Sequence, residues 1–340
     1  MTLGTLPTTS RNGYTFKGWY TATSGGTKIT ASTTMPANDV TYYAQWTANK
    51  IKITFNKNGG TGGTDNIWYY YGTSKFYSNE ACSTQITAIT RPTKTGYTYV
   101  SYTGDGTCGG NSGERYVAYD SNGTIVEFAG DLATDIYKDA TLYANWSANT
   151  YTLTYNANGG SGAPSAQTWT YAGTNITLSS TKPTRTGYTF LGWATSSSAT
   201  AKEFDAGGTI SSTKWSSNKT IYAVWKINSY TLKIDPNGGY RASDNNTTVI
   251  SVTKNYKETE SISERKRTGY TLSGYTMSPS STGGATFTFD SSTKTGTFTQ
   301  GTVSITLTAK WTSNIYKATL DNQGATSAGT TAYWYEYNKT

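Results

Sequence analysis

Arg185-Thr186-Gly187-Tyr188-Thr189-Phe190-Leu191-Gly192-Trp193 decides the fold, because the chain writes some version of it four times. The other copies are Arg11-Asn12-Gly13-Tyr14-Thr15-Phe16-Lys17-Gly18-Trp19, Lys94-Thr95-Gly96-Tyr97-Thr98-Tyr99-Val100-Ser101-Tyr102 and Arg267-Thr268-Gly269-Tyr270-Thr271-Leu272-Ser273-Gly274-Tyr275. In each, a glycine precedes a tyrosine, and a tryptophan or tyrosine closes the run six places after that glycine. Glycine accepts a positive φ that side chains disfavour, and the residues after it alternate at the period of a pleated strand. Each copy therefore predicts a turn entering a strand, with Tyr188 and Phe190 on one face and Gly192 leaving room for another backbone or ring. Small modules need large side chains to make a core. Tyr14, Trp19, Trp46, Tyr97, Trp146, Tyr188, Trp193, Trp225, Tyr270 and Trp311 are expected to supply it.

Two further landmarks recur. An alternating strand runs into Asn-Gly-Gly at Ile51–Phe55 with Asn58-Gly59-Gly60, at Tyr151–Tyr155 with Asn158-Gly159-Gly160, and at Tyr230–Ile234 with Asn237-Gly238-Gly239. Asn-Gly after such a run is a strong hairpin signal. A closing strand ends in tryptophan at Tyr42–Trp46, Leu142–Trp146, Ile221–Trp225 and Leu307–Trp311, with the Trp, the Ala two before it and the residue four before it facing inward. The landmarks divide the chain into 1–46, the C-terminal part of a repeat; 47–146, a repeat with insertions; 147–225 and 226–311, further repeats; and 312–340, the N-terminal part of another. Gly104–Gly113 and Asp120–Gly123 read as loop insertions. In Trp68-Tyr69-Tyr70-Tyr71, alternation predicts Trp68 and Tyr70 inward, and Tyr69 and Tyr71 outward.

Of 340 residues, 29 are Tyr and 10 Trp, and Thr, Ser, Gly and Asn abound. This mixture forms strands well and helices poorly, so the fold class is mainly β. Histidine is absent, which removes Ser-His-Asp and Cys-His catalysis and every histidine metal site. No catalytic, cofactor-binding or metal-binding set emerges, and the chain reads as no enzyme. Glu203 and Asp205, two apart on a short strand, read as surface charges. Cys82 and Cys108 fit no metal-ligand spacing; they either close one local disulfide or stand as two buried thiols. The net charge of +8 would suit an anionic partner. The cations are nevertheless scattered, so no nucleic acid is expected. The one compact run, Arg265-Lys266-Arg267, reads as a solvated turn. No stretch is long and apolar enough for a membrane span, and no signal peptide follows Met1, which suits a window cut from a longer array.

Tyr151–Tyr155, Asn158–Gly160, Pro183–Trp193 and Ile221–Trp225 together resemble the Listeria-Bacteroides repeat, also called the internalin B-repeat. The resemblance covers essentially the whole chain as tandem copies. It implies small β-grasp-like modules in a beads-on-a-string arrangement along bacterial surface proteins and adhesins, without enzyme activity or cofactor. The 226–311 segment departs most, with Glu264-Arg265-Lys266 where Pro is usual and Tyr275 in place of Trp.

The head, 1–46, and the tail, 312–340, are the complementary parts of one repeat. Each alone would leave a sheet edge unpaired. A split module completed head to tail between copies is therefore expected, and would propagate as a filament. The functional expectation is an extracellular structural or adhesive fibre or stalk on a bacterial surface. The alternative is a module that binds carbohydrate or a cell-wall polymer through outward aromatics and dispersed cations.

Overall fold

The computed structural model describes residues 1–104, 115–119, 125–128, 136–324, 326–327 and 329–339, with backbone alone for 115–119 and 125–128. Cys108, and with it the pairing of Cys82, and the segments 105–113 and 120–123 lie outside the described residues. Among the described residues every regular element is a strand. By Cα proximity the chain forms two compact units, Met1–Thr152 with Thr168–Ile176 and Ser211–Asn218, and Leu153–Gln167 with Thr177–Ile210 and Lys219–Thr340.

One strand plan is written three times. An opening strand (Lys50–Asn56, Thr150–Asn156, Ser229–Asp235) lies between a second strand (Asn66–Tyr70, Gln167–Thr170, Ile250–Asn255) and a closing strand (Ala140–Ala148, Lys219–Ile227, Ile305–Ser313). The Gly-Tyr strand (Tyr97–Thr103, Tyr188–Ala194, Tyr270–Ser278) borders the closing strand on its other edge. Opening and closing strands run parallel, as in Leu153 opposite Lys219 and Tyr155 opposite Ile221, while the Gly-Tyr strand is antiparallel. In the first module the sheet extends to eight strands. The head carries only its Gly-Tyr strand, Tyr14–Tyr20, between Lys28–Ile29 and the closing strand Tyr43–Ala48. Among its described residues, the tail carries only Ile315–Thr319 paired with Ala332–Glu336. Sheets change at Asn49, Asn149, Asn228 and Asn314, each three residues beyond the tryptophan that closes a segment.

A bulge in the Gly-Tyr strand decides which aromatics meet. Pairing passes from Phe190 opposite Trp225 to Gly192 opposite Val224 and Trp193 opposite Ala223. Strict alternation would turn Trp193 away from Tyr188 and Phe190; the extra residue returns it to their face. The shift recurs between Phe16 and Gly18 and between Leu272 and Gly274. Gly192 has φ +150, and a Cβ there would lie 2.5 Å from the Phe204 carbonyl oxygen. That oxygen accepts from the Trp193 N–H at 2.8 Å. Backbone therefore passes where any other residue would carry its side chain.

The buried interior differs from the expected aromatic set. In the first module it is Ile51, Ile53, Phe55, Ile67, Tyr69, Phe76, Tyr99, Tyr102, Leu142 and Ala144, and in the third Leu232, Ile234, Ile262, Phe298, Ile305 and Leu307 among others. Of the ten residues expected in the core, only Trp193 is fully enclosed; Tyr14, Trp19, Trp46, Tyr97, Trp146, Tyr188, Trp225, Tyr270 and Trp311 are half-buried. The order of burial in the second strand is also reversed. Tyr69 is inside, Tyr70 is exposed, Trp68 is half-buried over the Lys52 ammonium, and Tyr71 packs against the core edge. Ile67, opposite Ile53, sets this parity. It is a stronger hydrophobe at the sheet centre than the tyrosines that follow. In the third module Tyr275 replaces Trp and meets Phe287 and Phe289 at 5.3 and 6.1 Å, rings that come from the added hairpin Thr286–Asp290 and Thr295–Thr299.

Candidate functional site: the joints between modules

The half-buried tryptophans Trp146, Trp225 and Trp311 fasten turns. Asn58 and Gly59, Asn158 and Gly159, and Asn237 and Gly238 all have positive φ, as a type I′ turn requires. The turn does not close a tight hairpin, since the second strand of the first module begins only at Asn66. It folds onto the closing strand. Asn158 Nδ2 donates to the Ala223 carbonyl at 3.0 Å, and Trp225 Nε1 donates to the Ala157 carbonyl at 3.0 Å. Asn58 with Trp146 and Asn237 with Trp311 repeat both bonds. A Cβ on Gly160 would lie 2.6 Å from the Trp225 ring, which is why the second glycine of Asn-Gly-Gly recurs.

The half-buried tyrosines build a joint at each single-residue crossing. Asn228 donates its N–H to the Gly187 carbonyl at 2.9 Å, and its own carbonyl accepts from the Tyr256 N–H at 2.9 Å. Its side-chain Oδ1 accepts from Thr189 Oγ1 at 2.6 Å. One asparagine thus ties the Gly-Tyr turn of one module to the end of the second strand of the next. Tyr256 covers Gly187, where a Cβ would sit 2.1 Å from its ring, and stands edge-on to Tyr188 at 6.3 Å. Gly187 is therefore demanded twice, by φ +77 and by the ring above it.

The arrangement is repeated with little change. Gly13, Thr15, Asn49 and Tyr71 make the same three bonds at 2.8, 2.5 and 2.9 Å. Gly96, Thr98, Asn149 and Tyr171 make them at 2.9, 2.6 and 2.9 Å, as do Gly269, Thr271, Asn314 and Tyr337. Each paired tyrosine again lies over the glycine and edge-on to the next tyrosine, at 5.4, 5.6 and 5.5 Å. A cation caps each turn tyrosine: Arg11, Lys94, Arg185 and Arg267 stand 4.1, 4.6, 3.9 and 4.3 Å from the ring centres. The string between beads is one residue long and fastened on both sides.

Sequence reading found the glycine, tyrosine and cation but missed Asn49, Asn149, Asn228 and Asn314 and their partners Tyr71, Tyr171, Tyr256 and Tyr337. An asparagine three places after every closing tryptophan was the available signal. Glu203 and Asp205 serve locally: Glu203 Oε1 accepts from Thr195 N–H and Oγ1, and Asp205 pairs with Lys202. Arg265 corrects the reading of a solvated turn. It lies in a strand pair with Tyr240–Arg241 and is 3% exposed, its guanidinium donating to the Ser263 carbonyl at 2.9 Å.

Residues 1–45 and 151–224 match the Listeria-Bacteroides repeat domain. The chain carries Listeria-Bacteroides repeats. It is 30% identical over 329 residues to a protein named as a Gly-rich membrane protein of Evansella cellulosilytica, covering 93% of this chain and 32% of that protein. A second Evansella cellulosilytica protein, also named as a membrane protein, is 26% identical over 309 residues, covering 89% of this chain and 39% of its own length. Internalin H of Listeria monocytogenes is 37% identical over 99 residues, 29% of this chain and 15% of that protein. The chain therefore spans well under half the length of the curated relatives it matches, and the repeats are of a kind present in bacterial surface and membrane proteins. No helix among the described residues is long and apolar enough to cross a membrane.

Proposed function

We propose that this chain is a length of extracellular bacterial surface stalk that acts mechanically and performs no chemistry. The observation that carries the reading is the fourfold joint. A flexible linker would let modules reorient, whereas a one-residue asparagine with three hydrogen bonds and a ring over a glycine restricts each crossing. In a one-dimensional array, stability is approximately a sum of module terms and neighbour terms, and the joint supplies the neighbour term. Load entering at one module passes to the next through backbone bonds. Antibodies against residues 147–311 are expected to label intact cells of the producing bacterium; labelling only after lysis would refute the surface placement. Single-molecule stretching of the full chain is expected to give one unfolding event per complete module, and featureless extension would refute the mechanical role.

A second reading concerns the two ends, and we propose it on their exposed apolar faces. Leu320 and Tyr335 in the tail are 48% and 53% exposed, although Phe55 and Tyr69, at the same positions of the first module, are 3% and 0% exposed. In the head, Val40 is 50% exposed where Ile305 of the third module is 1% exposed. The tail hairpin supplies the two strand types that the head sheet lacks. The partner on this reading is the complementary end of a second copy, giving head-to-tail association through 1–46 and 312–340. Sedimentation of the purified chain over a range of concentrations is expected to show growing oligomers; a concentration-independent monomer would rule out this partner.

A further inference from the structure

The cations at the joints are not consumed by them. Arg185 lies against Tyr188, and its guanidinium Nη1 reaches the Asn158 carbonyl at only 3.4 Å. Lys94 and Arg267 make the equivalent contacts with the carbonyls of Asn58 and Asn237 at 3.1 and 3.3 Å. Among the described residues, no carboxylate lies within ion-pair distance of Arg11, Lys94, Arg185, Lys257 or Arg267. Beside Arg185 runs a groove of about 800 Å³ whose walls include Gly160, Thr184, Phe190, Trp225, Tyr256 and Lys257, with no acidic residue in the lining. Half-buried aromatic rings form its floor, and two unpaired cations stand in its walls.

The third module repeats the groove in a more basic form. About 280 Å³ is lined by Tyr270 with Arg265, Lys266, Arg267 and Lys294, against one acid, Glu264, which is 4.0 Å from Lys266. Arg265 is almost wholly enclosed, its guanidinium donating to the Ser263 carbonyl and Oγ at 2.9 and 2.8 Å, and it shares the field of Asp244 with Arg241, which holds that carboxylate directly.

We propose that these grooves bind an acidic glycan. A sugar ring lies along the aromatic side chains, and its carboxylate, sulfate or phosphate group meets Arg185 and Lys257 in one groove, or Arg267 and Lys294 in the other. Guanidinium suits this role because it is weakly hydrated and presents a planar fork of donors to oxyanions. The aromatic face separates a glycan from a bare anion, since only the former has an apolar ring surface to cover it. The proposal goes beyond a stalk, and its failure leaves the joints as described.

The test uses the full chain with four probes of matched length: a heparin oligosaccharide, a hyaluronate oligosaccharide, a phosphomannan oligosaccharide and neutral dextran, with inorganic polyphosphate as a sugar-free control. At least one acidic glycan is expected to bind about tenfold tighter than dextran and polyphosphate, and more weakly as salt rises. Which of the three binds identifies the acidic group. R185Q is expected to weaken that binding about tenfold without lowering the melting temperature. If R185Q disturbs folding, K257Q at the exposed wall is read instead, with the same expected direction. Equal binding of dextran, equal binding of polyphosphate, no binding by any acidic glycan, or unchanged affinity in both variants would each overturn the proposal.

Discussion

The interior of the second module and its joint to the third obey different rules, although both are built from aromatic residues beside glycine. In the interior, the position of Trp193 is taken by Trp19, Tyr102 and Tyr275 in the other copies, and its neighbours change with it: Phe55 and Tyr99 surround Tyr102, while Phe287 and Phe289 surround Tyr275. At the joint nothing changes. Glycine, tyrosine, threonine, asparagine and a second tyrosine recur in all four copies. A core has to fill volume and can do so with several sets of side chains. The joint has to satisfy backbone donors and acceptors at fixed positions, and few residues reach them.

Removing Trp193 tests the interior most severely. Trp193→Ala is expected to destabilise the second module by about 3–5 kcal/mol, because the ring is fully enclosed and packs on Tyr155 and Phe190. Denaturant unfolding followed by hydrogen exchange in residues 147–225 measures it, and a loss under about 1 kcal/mol would mean that the module does not depend on this ring. Next comes Gly187→Ala at the joint, expected at about 2–4 kcal/mol from left-handed strain plus collision with Tyr256. Gly162→Ala is the matched control, since Gly162 has φ +74 with nothing within 4 Å of a Cβ. Equal losses in the two variants would show that the ring contact adds nothing.

Asn228→Ala is expected to lose about 1 kcal/mol, the worth of the Thr189 hydrogen bond, because its two backbone bonds remain. A double-mutant cycle with Thr189→Ala checks the assignment, and full additivity would refute it. The smallest effect concerns acid and belongs to the added hairpin of the third module. Ser292 and Thr293 hydrogen bonds hold the Asp290 carboxyl at about 2, below its ordinary 3.8. Because the folded value is depressed, its contribution is present above pH 3.8 and is lost as pH falls towards about 2. Asp290→Asn is expected to flatten that part of the stability profile, and an unaltered slope would place the acid sensitivity elsewhere.

Much of this was legible in the sequence. Alternating Thr and Tyr specify strands in water because one face finds a core and the other does not, so the strand class and the repeated order follow from periodicity. Asn-Gly pairs announce turns because few residues tolerate positive φ. Parity was less legible: in Trp68-Tyr69-Tyr70-Tyr71 alternation counted from Trp68 put the wrong face inside, because four aromatics in succession do not say which parity is buried, and the pairing of Ile67 with Ile53 decides it. The joint partners were hidden for a related reason. Asn228, Gly187 and Tyr256 lie far apart in the chain, and an asparagine or a tyrosine looks the same in sequence whether it meets water or a neighbour's carbonyl.

The sequence by itself determined the recurring order of strands, the all-strand class and the positions where glycine is obligatory, since these depend on local propensity and on repetition. Only the tertiary structure decided that the bulge brings Trp193 onto the face of Phe190, that Trp146, Trp225 and Trp311 clasp turns, and that one asparagine fastens each module to the next. Those outcomes depend on which backbone groups meet across strands, and strand register is settled only when distant segments pack together.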